Sequence, residues 1–204
     1  MRIIAGEFGG RKLLAPPSDA TRPITDRAKQ SLFDVLAPDI PEALIYDCFA
    51  GTGSMGLECL SRGAKFCTFF EAHRPTVARL NQNIVALAAS DRSRVVPGDL
   101  FRWFNLSAVR PGSTDASGAD IVFLDPPYRF LRDHSDEILQ LALHLTHNHL
   151  RDDAIVVFRH GSADSLELPN LTRYDLREYG EMTIELLRRC TTSTGDRATD
   201  VGQR

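Results

Sequence analysis

Asp47-Cys48-Phe49-Ala50-Gly51-Thr52-Gly53-Ser54 closes the first buried apolar run of the chain in a glycine turn. Leu44–Phe49 is short, mostly apolar and bounded by Pro41 before it and glycines after it, which reads as a buried strand. The residues after Gly53 return to helical spacing until Gly63 stops them. A strand that opens through glycines into a helix offers backbone N–H groups to a ligand. Gly56 completes a G-x-G-x-x-G pattern, and Glu71, 20 residues past Gly51, ends the next strand. Its carboxylate can accept bonds from both hydroxyls of a ribose.

The same alternation continues outward. Lys65–Glu71, Arg94–Pro97, Ala119–Leu124 and Ala154–Arg159 read as further strands. Helices are expected after Pro75, with Val77, Leu80, Ile84 and Leu87 on one face, and over residues 134–149. Arg173–Tyr179 and Met182–Arg188 flank Gly180-Glu181 as an antiparallel hairpin. Strands alternating with helices predict an α/β fold with a mainly parallel, doubly wound sheet and helices on both faces. Upstream, Arg2–Glu7 and Arg11–Ala15 read as two strands of a hairpin turning at Phe8-Gly9-Gly10. Thr25 then caps a helix whose Ala28, Leu32, Val35 and Leu36 form one apolar face. Three segments follow from this: a basic arm over 1–24, a catalytic domain over 25–190, and a tail over 191–204 without apolar periodicity, expected to be disordered. Residues 110–118 read as a surface loop.

Of the 204 residues, 43% are hydrophobic and 25% charged, values that exclude a wholly disordered, fibrous or coiled-coil chain. No apolar run approaches the roughly 18 to 20 residues that a membrane helix needs. The formal charge of −3 excludes a uniformly basic nucleic-acid binder, yet residues 1–30 carry six basic and three acidic side chains. Cys48, Cys59, Cys67 and Cys190 form no Cys-x-x-Cys pair, so neither a zinc knuckle nor a redox dithiol is indicated, and a reducing cytoplasm is the natural setting. His144, His147 and His149 fall on different faces of a helix and are expected to be exposed rather than to bind metal.

Three further motifs refine the chemistry. Asp47, at the mouth of the strand, suits a cationic amino-acid moiety better than a pyrophosphate, although the glycine pattern by itself fits a nicotinamide dinucleotide as well as S-adenosylmethionine. Asp99 of Gly98-Asp99-Leu100 can hold an exocyclic adenine amino group, with Leu100 and Phe101 over the ring. Asp125-Pro126-Pro127-Tyr128 directly follows an apolar strand, and its prolines cannot continue a ladder, so they fix a rigid loop at the carboxyl edge of the sheet. An exocyclic amino nitrogen on a base is a poor nucleophile because its lone pair is delocalised into the ring. The Asp125 carboxylate and the Pro126 carbonyl, accepting its two hydrogens, favour a pyramidal nitrogen aimed at a methyl sulfonium. Tyr128 offers a face on which an extruded base can stack.

Asp-Pro-Pro-Tyr after the fourth strand, with Asp-x-Phe-Ala-Gly-x-Gly after the first, resembles the class I S-adenosylmethionine-dependent amino methyltransferases. More narrowly, Met1–Gly6, Gly10-Arg11-Lys12-Leu13, Arg22-Pro23-Ile24-Thr25-Asp26-Arg27, Gly56-Leu57-Glu58 and Leu60-Ser61-Arg62-Gly63-Ala64 resemble the bacterial 16S ribosomal RNA guanine-N2 methyltransferases of the RsmD family. The likeness spans about residues 1–189. Thr52, often Ser in relatives, and Ile24, often Thr, are mild departures.

The resemblance implies a seven-stranded Rossmann-like domain with an N-terminal β-hairpin extension. It also implies methyl transfer to one guanine of 16S ribosomal RNA, in assembled or nearly assembled small subunits, by a cytoplasmic monomer that leaves S-adenosylhomocysteine and needs no metal. It places the cofactor against Thr25, Asp47, Phe49, Ala50, Gly51, Thr52, Gly53, Glu71, Ala72, Asp99, Leu100 and Asp125, and the guanine against Asp125, Pro126, Pro127 and Tyr128. Arg2, Arg11, Lys12, Arg22 and Arg27, with Lys29, would contact RNA phosphates beside the entrance. A DNA adenine-N6 methyltransferase shares the Asp-Pro-Pro-Tyr logic, and a nicotinamide oxidoreductase shares only the glycine pattern and Glu71.

Overall fold

Parallel strands buried on both faces must be apolar at nearly every position, and the central strands of the sheet follow that rule while its outer strands do not. The computed structural model describes residues 1–16, 24–106 and 118–189. Arg22, Cys190, most of the 110–118 loop and the 191–204 tail lie outside the described residues. The strands are β1 (Leu44–Cys48), β2 (Phe66–Glu71), β3 (Ser93–Pro97), β4 (Ala119–Leu124), β5 (Leu150–Gly161), β6 (Leu171–Tyr179) and β7 (Met182–Arg189). They form one seven-stranded sheet in the order β3-β2-β1-β4-β5-β7-β6. The first five are parallel, and β7 runs antiparallel to both β5 and β6.

Side-chain alternation divides the core in two. Ile45, Phe69, Ile121, Phe123, Ile155 and Val157 face helices α1 (Asp26–Val35), α2 (Ser54–Ser61) and α3 (Arg74–Ala86). Cys48, Phe70, Val122, Leu124, Val156 and Phe158 face α4 (Leu100–Leu106), α5 (Tyr128–Asp133) and α6 (Ser135–His144). Strand order reverses between β1 and β4, so the crevice for a ligand opens at their carboxyl ends. Among the described residues no helix is long and apolar enough to cross a membrane.

Several expectations change. The arm forms a short antiparallel hairpin without regular strands: Arg2 bridges Lys12, the Ile3 amide donates to the Arg11 carbonyl (3.0 Å), the Gly10 amide to the Ile3 carbonyl (2.9 Å) and the Leu13 amide to the Met1 carbonyl (3.2 Å). The backbone bends early, at Gly6, because the arm is pressed onto the end of α2, where a Cβ on Gly6 would lie 1.9 Å from the Ser61 carbonyl oxygen. Ile3, Phe8 and Leu13 join the core of the sheet. The expected helix over 134–149 is interrupted: α6 ends at His144 and a π turn covers Leu145–His149. There the Thr146 hydroxyl donates back to the Ala142 carbonyl (2.9 Å), competing with the helical ladder. His149 is buried rather than exposed, its ring 4.9 Å from that of Phe104 and 5.7 Å from Trp103.

Lys29 is also not a surface charge. It is 1% exposed, and its Nζ lies 2.9 Å from Glu58 Oε2 and donates to the Arg2 carbonyl at 3.1 Å. Glu58, itself fully buried, also accepts from Arg62 Nε (2.8 Å) and from the Ile4 and Ala5 amides (2.8 and 3.0 Å). Burial pushes the Glu58 carboxyl up, but Lys29, the Ile4 amide and Arg62 together hold it below the usual range. Burial lowers the Lys29 ammonium despite the Glu58 charge. Glu58→Gln would leave that ammonium uncompensated in the core. It is expected to cost about 3 kcal/mol, measured by urea unfolding; a loss within the ordinary surface range would show that the cluster is not a buried ion pair.

Candidate active site

Three carboxylates leave three adjacent strand ends and meet at the carboxyl edge. Asp47 is 2% exposed near the end of β1, and its Oδ2 accepts from the Gly56 amide at 2.9 Å. Burial, with the neighbouring Asp125 and Glu71, pushes its carboxyl up to about 8 against the downward pull of the Gly56 amide. Glu71, at the end of β2, accepts from the Gly51 amide and the His73 amide, both at 2.8 Å, and so pins the glycine turn to the strand exit. Asp125 follows β4. Gly56 must be glycine here, since a Cβ would lie 2.4 Å from Phe69 Cε1 and 2.5 Å from Cys67 Sγ, and α2 could not close onto β2.

The turn itself is held in uncommon backbone. Phe49 has φ 63° and Gly53, the cap of α2, φ 89°. A phenylalanine at positive φ stores strain of the kind that gathers at ligand sites. The Thr52 and Ser54 hydroxyls are buried there without a hydrogen-bond partner among the described residues. The Thr52 carbonyl accepts from Asn83 Nδ2 of α3 at 2.9 Å, while Asn83 Oδ1 accepts from the Leu14 amide at 2.9 Å, tying the arm to the turn.

The other expected residues fall around this centre. Asp99 is exposed at the exit of β3, where its Oδ1 accepts from the Phe101 and Arg102 amides (2.9 and 3.3 Å) and caps α4. The Gly98 amide donates to the Glu71 carbonyl at 2.9 Å, joining the β2 and β3 exits. Leu100 turns into the core, and Ala72 is exposed beside Glu71. The Ala50 amide donates to the Phe70 carbonyl at 2.9 Å. Pro126 is buried; Pro127 caps α5, its carbonyl accepting from the Phe130 amide at 2.8 Å, and Tyr128 is the first residue of that helix. Thr25 caps α1, accepting from the Ala28 amide at 3.2 Å.

Of the basic residues, Arg2 pairs with Asp26 at 2.8 Å, Arg11 is bound to the Ala86 carbonyl, and Lys12 and Arg27 are exposed.

Sequence reasoning missed two features. Phe49, Phe101 and Phe130 form an aromatic trio at this edge, with Phe101 and Phe130 stacked at 5.5 Å and 4°. Each lies within or near a motif, but spacing along the chain carries no sign that the three meet. The second is Arg159, whose Nε donates to Asp125 Oδ1 at 2.5 Å. A cation closing the apolar run of the strand next to β4 was the available signal.

This donor set suits a cation joined to a nucleoside. Carboxylates converge at the mouth of β1, acids stand at the β2 and β3 exits, and aromatic faces lie alongside, with no basic side chain within the glycine turn.

A family model described as conserved hypothetical protein 95 matches residues 1–188. Ribosomal RNA small subunit methyltransferase D of Escherichia coli (strain K12) is 42% identical over 129 residues, 63% of this chain and 61% of that protein. The chain thus aligns with less than two thirds of that relative's length. YlbH of Bacillus subtilis (strain 168) is 32% identical over 171 residues, 83% of this chain and 86% of that protein. The solved structure of Escherichia coli yhhF superposes with TM-score 0.76 at 33% identity, covering 93% of this chain and 97% of that one.

The raised Asp47 carboxyl has a measurable consequence. The folded protein keeps a proton up to about pH 8 that the unfolded chain releases above about pH 4. Stability is therefore lost as pH rises across that window, at roughly 1 kcal/mol per pH unit. Asn at this position can still accept the Gly56 amide and cannot ionise. The melting temperature of Asp47→Asn should gain on the wild type from pH 5 to pH 8. A difference independent of pH would remove the burial penalty from Asp47.

Proposed function

The chain belongs to the conserved hypothetical protein 95 family, that of ribosomal RNA small subunit methyltransferase D, and on this premise we propose that it methylates 16S ribosomal RNA. The proposed reaction moves the methyl group of S-adenosylmethionine to the exocyclic N2 amino group of one guanine. The observation that carries the reading is the juxtaposition, at neighbouring ends of β1 and β4, of the strained glycine turn and the rigid Asp125-Pro126-Pro127 exit.

When bound, S-adenosylmethionine supplies an electrophilic methyl group on a sulfonium. Everything else falls to the chain. The Phe49–Gly53 turn and Asp47 receive the charged end, Glu71 the ribose, and Asp99 with the aromatic trio the adenine. Asp125 and the Pro126 carbonyl accept the two hydrogens of the target nitrogen and direct its lone pair away from the ring. As the nitrogen–carbon bond forms and the sulfur–carbon bond breaks, the nitrogen becomes cationic. Asp125 stabilises that charge, and the surplus proton leaves through it to water. The two prolines preorganise the acceptors, and Tyr128 opens the helix beside the base. The nicotinamide reading rests only on the glycine pattern and Glu71, and the family membership does not favour it.

RNA is proposed to approach over α1 and the arm, where Lys12 and Arg27 are exposed. Lys29 is spent inside the fold and is not among the contacts. The arm cannot be cut away to test this, because Ile3, Phe8 and Leu13 are core residues. Lys12→Gln with Arg27→Gln should instead lower RNA affinity and shrink the salt slope by roughly one for each phosphate no longer neutralised. An unchanged slope would place RNA elsewhere.

The deciding test is transfer of labelled methyl from S-adenosylmethionine to small subunits lacking their own methylation, with naked 16S RNA and duplex DNA alongside. Label in N2-methylguanosine is expected. Asp125→Ala should lower turnover by about 100-fold or more while leaving affinity for S-adenosylhomocysteine nearly intact. Label in DNA adenine would overturn the substrate, and no binding of the cofactor would overturn the reading altogether.

A further inference from the structure

The parallel register of β4 and β5 sets Leu124 opposite Phe158, both in the core that faces α4–α6. The residues that come next, Asp125 just past the end of β4 and Arg159 on β5, therefore turn to the opposite face side by side. There Arg159 Nε donates to Asp125 Oδ1 at 2.5 Å, and its Nη1 lies 3.6 Å from Met182 Sδ. The guanidinium side chain is 10% exposed and the carboxylate 19%. Taking an arginine this far from water is costly unless it is paired, and replacing such a pair with apolar side chains is often harmless to stability. An ion pair at this place thus calls for a reason other than holding the sheet together.

The arrangement supplies one. Asp125 follows the strand on a flexible two-torsion side chain, and its two oxygens are not equivalent in the structure. Oδ1 is occupied by the arginine, while Oδ2 accepts no hydrogen bond among the described residues. Arg159 is itself fixed by burial and by the β7 side chain beside it. A charge-assisted bond from a fixed donor locks the carboxylate's rotation and leaves one oxygen presented.

We infer that Arg159 is a positioning residue, which acts through Asp125 by holding Oδ1 so that Oδ2 faces the amino group to be methylated. This rests on the methyl-transfer reading of the site.

A double-mutant cycle on small subunits tests it, with Arg159→Gln, Asp125→Asn and the two combined. Arg159→Gln alone should lower kcat about 10- to 100-fold. KM for the subunit and affinity for S-adenosylhomocysteine should stay within roughly twofold of the wild type, which also certifies the fold. In the Asp125→Asn background, adding Arg159→Gln should cost almost nothing further, because the arginine then has no carboxylate to place. Should the glutamine variant not fold, Arg159→Lys, which keeps the charge but lacks the Nε–H, carries the same cycle. Independent, multiplying losses in kcat overturn the inference, as does a loss confined to KM. Methyl transfer by the wild type with such an additive cycle overturns this inference alone. No transfer by the wild type to any nucleic acid overturns the reading of the site, and this inference with it.

Discussion

A fully buried carboxylate, Glu58, is the junction from which the architecture is built. An isolated charge in that position would be prohibitively unfavourable, so each of its lone pairs must find a donor. The donors come from three places: Lys29 on α1, Arg62 at the end of α2, and two amides of the arm. Satisfying one acid therefore fixes how the N-terminal segment, the first helix and the second helix sit relative to one another. Because α2 begins in the glycine turn, the same junction also sets the tilt of the ligand-facing loop at its far end. Asn83 makes a second tie, from the arm at Leu14 to the turn at Thr52.

The carboxyl edge of the sheet is arranged on the opposite principle. Around Glu58 charges are cancelled, whereas at the ends of β1, β2 and β4 acids are gathered, and Asp47 keeps its proton, first because it is buried and further because Asp125 and Glu71 stand beside it. Positive φ at Phe49 adds backbone strain to the electrostatic strain. A fold tolerates such a concentration of unfavourable terms where a bound partner relieves them, and a sulfonium with an ammonium beside it would do so. Among the described residues Arg159 is the cation that pairs directly with one of these acids, and it meets Asp125.

Most of the scaffold was legible from two signals that survive without tertiary information: apolar runs in β1, β2 and β4, and glycine or proline at the exits of β1, β3 and β4. The hairpin of β6 and β7 was legible from Gly180 for the same reason. What escaped depended on contacts distant in sequence. Lys29 and His149 carry polar side chains at positions that look solvent-facing, and only the packing of α1 on the arm, or of the π turn on Tyr46 and Phe104, makes them interior. The helix α4, seven residues rich in aromatics, is too short to show periodicity. Within the site, the motif residues were visible one by one. The Arg159 pairing and the Phe49–Phe101–Phe130 trio were not, since each joins side chains that only the strand order brings together.

The strand order also dictates when the sheet can close during synthesis. β7 is inserted between β5 and β6 although it follows both in the chain. Until Met182–Arg189 has been made, one edge of β5 has no partner, and Ala154–Gly161, buried throughout in the finished protein, stays open on that side. The growing chain thus carries an unpaired, apolar strand edge until residues 162–181 and then β7 have followed, the kind of surface that invites pairing with other chains. Arg159 waits on that same strand. The last hairpin to arrive is therefore both the closure of the barrier against aggregation and the event that seats Met182 beside the arginine.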